Sequence, residues 1–261
     1  MSMLVLTVNS GSSSLKLAVV EAQGGKRLRE LNLALTSASP SEAAEAASRA
    51  LADFIAGLDA SQRPQVVAHR IVHGGERFRT PVFINDEVRS RLGNLGALAP
   101  LHTPQALTLV DRVRELLPDT AQVAVFDTAF HATLPLRARR YALPSKLCEE
   151  AGIRRFGFHG LSHHHVADAV ARFIRRPARS LKIISCHLGN GASITAIEHG
   201  ASTETSMGMT PLEGLVMGTR AGDLDPGALL TLLRSGRFSI KELESFLNTG
   251  AGLKGMTGTT E

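Results

Sequence analysis

Short apolar runs alternate with longer amphipathic stretches along the chain, and the period of each predicts its element. Leu4 to Val8 (LVLTV) and Leu17 to Ala22 (LAVVEA) are strand-like, and the small-residue segment between them makes the pair a hairpin. Ser39 to Glu42 (SPSE) is a capping box with Pro at the first helical position, continued at helical spacing by Ala43, Ala47, Leu51, Phe54, Ile55 and Leu58. Val66 to Val72 (VVAHRIV) predicts a strand ending at Gly74-Gly75. A capped helix starts at Thr103-Pro104 with Leu107, Val110, Val113 and Leu117 on one face, and leads to the strand Gln122 to Asp127. After a Pro- and Arg-containing connection, Ser162 is expected to cap a helix bearing Val166, Ala169, Val170 and Phe173. Leu181 to Cys186 and Ala192 to Glu198 are strands flanking the loop His187 to Gly191 (HLGNG). Helices follow Pro226 and span Ser239 to Asn248, and a Gly/Thr-rich loop closes the sequence.

This alternation predicts an α/β protein. Two strand–loop–strand units, one in each half, predict two related lobes facing a shared cleft, residues 1–150 and 151–261. The second is expected to be incomplete, because a sheet begun at Leu181 and Ala192 would need more strands to cover its edge.

Composition narrows the classes without changing the pattern. With 43% hydrophobic, 20% charged and 4% aromatic residues and no Trp, the 261 residues describe a globular protein with an aliphatic core. No apolar run reaches membrane-spanning length and no signal-peptide pattern opens the chain, so a cytoplasmic setting without membrane attachment is expected. Cys148 and Cys186 lack CxxC spacing, which speaks against a disulfide scaffold or cysteine zinc site. The formal charge of +5 suits anionic ligands, but the basic residues are dispersed and not interleaved with aromatics, which argues against nucleic acid.

Candidate chemistry begins at Val8 to Lys16 (VNSGSSSLK), which offers hydroxyls, backbone N–H groups and one lysine for phosphate, or else an ordinary polar turn. It lacks Walker A spacing, and no helix follows it. Arg70, in an apolar strand, needs an anion or a structural ion pair. Arg220 sits among glycines in GTRAGDLDP, where backbone can approach a ligand closely. Asp127 at a strand tip reads as a Mg2+ anchor or as a cap. His159, between glycines in GFHG, reads as a donor to developing negative charge or as a structural histidine. Consecutive His163, His164 and His165 point in different directions on a helix and do not converge on a metal.

The segments VNSGSSSLK, HRIVHGGERF, LAPLHTP, VAVFDTAFHATLP, YALP, GIRRFGFHGLSHHHV, CHLGNGASITAI and TSMGMTPLEGLVMGTRAGDLDP, in this order, resemble acetate kinase from end to end. That family belongs to the sugar kinase, Hsp70 and actin superfamily, whose two RNase H-like lobes close around a nucleotide. The resemblance implies reversible transfer of the γ-phosphoryl of ATP to acetate, giving acetyl phosphate and ADP, with Mg2+ or Mn2+ and a homodimeric assembly. It implies that Asn9, Ser12, Ser14 and Lys16 form one phosphate loop, and His187, Leu188, Gly189, Asn190 and Gly191 the second. Arg70 and Arg220 would orient carboxylate and phosphoryl with help from His159. His102 would lie nearby, Asn9 and Asp127 would serve the metal, and Val72, Leu101, Phe158 and Pro211 would form the methyl pocket.

Leu161, His164 and His165 depart from the family pattern GFHGTSHKY, beside the key His159. The family's glycine-rich adenosine segment, a glutamate of its Mg2+ site and its final helix have no counterpart here, so the chain reads as a truncated member. The alternative is an inactive remnant that binds anions or a partner.

Overall fold

The computed structural model describes residues 2–11, 14–35, 39–99 and 102–260. They pack as two compact units, Met1–Ala129 and Phe130–Glu261.

In the first unit a mixed sheet takes the order β3-β2-β1-β4-β6-β5. β1 (Leu4–Ser10), β2 (Ser14–Glu21) and β3 (Arg27–Ala34) form an antiparallel meander, followed by α1 (Pro40–Ala56). β4 (Val66–Ile71) pairs parallel with β1, β5 (Val82–Phe83) caps the edge, and α2 (Asp86–Gly93) and α3 (Thr103–Leu116) precede β6 (Ala121–Phe126), parallel to β4. Strict alternation in β1 sends Leu4, Leu6 and Val8 into a core with Leu15, Leu17, Val19, Leu51, Phe54 and Val67. Each such side chain contributes about 1.5–3 kcal/mol by leaving water.

The second unit begins with α4 (Leu136–Arg139) and α5 (Ser145–Ala151), then α6 (Gly160–Phe173). The antiparallel strands β7 (Lys182–His187), β8 (Ser193–Glu198) and β9 (Ala201–Thr205) follow, and α7 (Pro226–Arg234), α8 (Ile240–Thr249) and α9 (Gly252–Thr257) end it. The unit starts about twenty residues before the division at 150 that the pattern suggested. Polar anchors draw the connecting segment inward: His131 bonds Ser202 and the Phe158 carbonyl, the Tyr141 hydroxyl donates to Glu213, and Arg155 donates to Ala138 O and, at 2.6 Å, to Glu213.

Several boundaries moved for local reasons. The nine-residue loop expected at Val8 to Lys16 is largely strand, because pairing runs out to Ser10 opposite Leu15 and puts Asn9 directly across from Lys16. Thr103 is the first residue of α3 rather than its cap, a position taken by His102 without a side-chain cap bond. α6 starts at Gly160, not after Ser162, since His159 takes up the left-handed cap conformation. The closing Gly/Thr-rich stretch contains α9. The capping box of Ser39 with Glu42 forms as its spacing predicts, and a second, of Ser239 with Glu242, starts α8. No helix among the described residues is long and apolar enough to cross a membrane.

Alternation in β4 also buries His69, whose Nε2 bonds Gln122 Oε1 at 2.8 Å. Burial, opposed by that hydrogen bond, pushes its pKa down to about 4. The unfolded chain takes up this proton near pH 6.5 and the native one only near 4, so stability is complete above the former and falls between them, by about 3 kcal/mol. Urea midpoints measured from neutral pH down to 4 should show this loss, and His69→Leu should make it shallower. An unchanged slope in that variant would assign the acid sensitivity elsewhere.

Candidate active site

In the first unit, the alternation that buries His69 turns Arg70 to the opposite face. Three parallel strands then bring Asn9, Arg70 and Asp127 together at or near their carboxyl ends, where open α/β sheets place their sites. Arg70 Nε donates to Asp127 Oδ1 at 2.9 Å and Nη2 to Oδ2 at 2.5 Å, while Nη1 donates to Asn9 Oδ1 at 2.8 Å. The Asp127 side chain is 2% exposed and that of Arg70 26%. Burial alone would pull the Arg70 pKa down, but the Asp127 charge and hydrogen bonds outweigh it and hold the guanidinium above its ordinary value.

The structural ion pair left open for Arg70 is therefore present, and its partner is the aspartate assigned to the metal. It does not exhaust either group. Among the described residues three of five guanidinium N–H bonds are used, leaving two for an incoming anion, and each carboxylate oxygen keeps further lone-pair capacity. Asn9 and Lys16 share one face of the hairpin and line an open depression of about 730 Å3 together with Thr7, Arg27 and Asn32. Ser14 opens β2, Val72 is buried just after β4, and His102 is half-buried at the head of α3. Ser12 and Leu101 lie outside the described residues.

In the second unit, His159 has φ 58°, the left-handed region, and sits at the head of α6. Its ring stacks on His187 with centroids 4.1 Å apart, and its Nδ1 hydrogen-bonds Ser193 Oγ at 2.9 Å. His187 in turn bonds Ser162 Oγ at 2.9 Å. The missing side chain of Gly191 leaves a gap that two groups face: a Cβ there would stand 3.4 Å from Arg220 Nη1 and 3.5 Å from His159 Nε2. The Arg220 side chain has no hydrogen-bond or ion-pair partner among the described residues, and burial lowers its pKa below the ordinary arginine value. A half-buried guanidinium without a counter-charge among the described residues is chemically suited to receive an anion.

The loop that carries Arg220 is clamped through its backbone. Ala251 N–H donates to Thr219 O at 3.1 Å, Leu253 N–H to Met217 O at 2.9 Å and Lys254 N–H to Gly218 O at 2.9 Å, all from α9 or the residue before it. Gly218 N–H reaches Asn190 O at 3.1 Å, which ties the loop to the β7–β8 turn. Leu188, Gly189 and Asn190 in that turn are exposed, Phe158 is fully buried, and Pro211 is half-buried in the loop after β9.

The acetokinase family profile matches residues 4–261. The chain belongs to the acetokinase family. It is 45% identical over 269 residues to an acetate kinase of Pseudarthrobacter chlorophenolicus, covering 99% of this chain and 69% of that one. With acetate kinase 1 of Vibrio cholerae it shares 43% identity over 100% of its own length and 70% of the relative's. The crystal structure of Porphyromonas gingivalis acetate kinase superposes with a TM-score of 0.84 at 34% identity, covering 100% of this chain and 71% of that one. A propionate kinase from Francisella tularensis gives 0.87 at 34%, covering 99% and 71%. The fold is thus the actin-like α/β fold of acetate kinase, and the family is one of phosphotransferases.

Within this acetokinase, sequence reasoning missed the supports of the named residues. Ser193 and His163 connect to His159, Ser162 anchors His187, and Gly252 underlies the Arg220 loop. Only Gly252 left a signal, as one of the glycines in AGLKG. His163 is buried whereas His164 and His165 are exposed, so the three consecutive rings diverge.

Gly191→Ala adds a methyl group at ordinary van der Waals distance, and the backbone there is not left-handed. It should therefore fold with near-native thermal stability yet lose protection against unfolding by inorganic phosphate; undiminished protection would exclude the gap as an anion seat. Gly252 has φ 63°, and a Cβ there would stand 2.6 Å from Arg220 O. Gly252→Ala should cost at least about 1 kcal/mol in chemical denaturation, and a native-like midpoint would show that the clamp is dispensable.

Proposed function

We propose that this chain carries out the acetate kinase reaction, in which a carboxylate oxygen of acetate attacks the γ-phosphorus of ATP and ADP leaves, giving acetyl phosphate. The observation that carries the proposal is the Arg220 guanidinium, without a partner among the described residues and facing the Gly191 gap beside His159 Nε2. Phosphoryl transfer depends on positioning and on charge stabilisation at the transferring oxygens, and needs no covalent nucleophile. In this reading Arg220 and His159 donate to the transferring phosphoryl group, and Arg70 offers its two spare N–H bonds to the acetate carboxylate. The His187 to Gly191 turn, with Asn9, Ser12, Ser14 and Lys16, receives phosphates, and Val72, Leu101, Phe158 and Pro211 provide apolar surface for the methyl group, with His102 close by.

Mg2+ fits this donor set in a limited way. No group of three or more His, Cys, Asp or Glu able to hold a metal occurs among the described residues. Asp127 and the Asn9 amide oxygen supply what Mg2+ takes from protein when nucleotide phosphates and water fill its other positions. Bound there, the ion would neutralise phosphate charge.

The proposed setting is cytoplasmic, with a homodimer as the expected assembly and no nucleic-acid partner. One methylene is worth only about 1–3 kcal/mol in an apolar pocket, so propionate is expected as a weaker substrate.

Hydroxylamine trapping of acetyl phosphate formed from ATP, Mg2+ and acetate tests the reaction. Arg220→Ala should lower kcat on the order of 100- to 1000-fold, the cost of losing one preorganised donor. Wild-type turnover in that variant would remove Arg220 from the chemistry. Phosphate binding by the wild-type chain without any trapped product would favour the anion-binding remnant.

A further inference from the structure

Arg155 and Glu213 meet where the segment leading into His159 crosses the segment leading into the Arg220 loop. Arg155 Nη2 donates to Glu213 Oε1 at 2.6 Å, and the Tyr141 hydroxyl donates to the other carboxylate oxygen, Oε2. The same hydroxyl accepts from Met209 N–H at 2.8 Å. Arg155 Nη1 is shared among the carbonyls of Thr205, Ser206 and Met207 at 3.1 to 3.2 Å, and its Nε donates to Ala138 O at 3.2 Å. With side-chain exposures of 18% for Arg155 and 29% for Glu213, the pair is largely shielded from competing water.

Backbone bonds run alongside. Phe156 and Gly157 N–H both donate to Gly208 O, at 3.0 and 3.1 Å. A Cβ on Gly208 would overlap both Glu213 Oε2 and the Tyr141 hydroxyl. The stretches 138–141, 155–157 and 205–213 are thus held at one point, and His159 stands two residues beyond the second of them.

Glu213 also stands at the neck of the Arg220 loop. Its neighbour Gly214 donates N–H to Asp223 Oδ1 at 2.8 Å, and Asp223 N–H donates back to Gly214 O at 2.9 Å, which closes the loop 214–223. Gly214 has φ 106°, and a Cβ there would stand 2.6 Å from Ser206 O, so the neck lies flat against the stretch that Arg155 holds. Inside the loop Met217 N–H donates to Arg220 O at 3.1 Å. The bonds from Ala251, Leu253 and Lys254 steady one side of this loop, and Glu213 anchors its root. Among the described residues the side chains of Tyr141, Arg155 and Glu213 hydrogen-bond only to one another and to these backbone groups. Two donors from different segments converge on one carboxylate, and an amide of the same shape has only one acceptor oxygen for them.

We propose that Tyr141, Arg155 and Glu213 are positioning residues that set the root of the Arg220 loop against the segment carrying His159, and so hold both side chains in place at the gap beside Gly191. The benefit for phosphoryl transfer rests on the proposed function; the fixing of the loop does not.

Hydrogen–deuterium exchange of the 261-residue chain, read peptide by peptide, tests the fixing. Glu213→Gln should speed amide exchange across 214–223 by at least about 10-fold, the cost of one hydrogen bond to a charged group, with exchange in residues 1–129 unchanged. Tyr141→Phe, which leaves the Arg155 pair intact, should do the same to a smaller degree. Wild-type protection of the loop in both variants would overturn the proposal. Tyr141 is the only tyrosine and no Trp is present, so its phenol is read alone in the near ultraviolet. Burial, with the hydrogen bond to Glu213, holds its pKa above the ordinary value. The folded wild type should keep it un-ionised at about pH 10, where a free phenol is half titrated, and a half-ionised phenol there would also overturn the proposal.

In the acetyl phosphate assay, Glu213→Gln should lower kcat roughly 10- to 100-fold with KM values for acetate and ATP nearly unchanged, since a displaced donor is missed chiefly in the transition state. Against an Arg220→Ala background the same change should have little further effect, because it acts through that arginine. Fully additive losses in variants that are folded by thermal melting would mark a merely structural role and overturn the proposal. A loosened loop in a chain without turnover would support the positioning and count against the proposed function alone.

Discussion

The second unit is arranged around the cost of burying the Arg220 guanidinium without a counter-charge. A protein tolerates such a group only where the backbone leaves it no better position and where an anion repays the desolvation. The backbone around Arg220 is held at several points. The loop from Met217 to Arg220 is held by backbone hydrogen bonds from Ala251, Leu253 and Lys254, which fix the backbone from which the Arg220 side chain projects. Gly252 is in the left-handed conformation and lies against Arg220 O more closely than any Cβ would allow. The clamp is polar and, except at that glycine, independent of side-chain identity.

The first unit treats its arginine in the opposite way. Arg70 is neutralised by Asp127 through a bidentate pair and steadied by Asn9, with β1 and β4 contributing one residue each and Asp127 following β6 directly. An arginine so paired is rigid and remains charged under all ordinary conditions, and its residual N–H bonds are fixed in direction. The two guanidiniums therefore suit different tasks: Arg70 a geometric one, and Arg220 the binding of an anion that brings the missing charge. This division is consistent with phosphoryl transfer, where one group orients the acceptor and another meets the charge on the moving phosphoryl.

The histidines show how neighbours divide one residue type among several jobs. His69 is a core residue whose only hydrogen-bond partner among the described residues is Gln122, and His163 is a buried link between two serines. His159 and His187 stack at the surface of the site, each fixed through Nδ1 by a serine hydroxyl. Ser162 and Ser193 thus do for the imidazoles what backbone hydrogen bonds do for Arg220.

The elements were legible where the pattern is local. Alternation in β1 and β4, the helical spacing from Ala43 to Ile55 and the capping box at Ser39 depend on residues within a turn or two of one another, and each formed as expected, although the helix stops at Ala56, short of Leu58. The motifs also carried the family, because a loop such as HLGNG is defined by its own few residues. What could not be read were the relations across long separations. The Asp127 partner of Arg70 lies 57 residues away, Ser193 lies 34 from His159, and Gly252 meets Arg220 only because α9 folds back on the loop. Near-neighbour chemistry shapes the backbone and so is written in sequence order, whereas the state of a charge or a ring proton is set by whichever groups packing brings within about 3 Å, and sequence order does not record that distance.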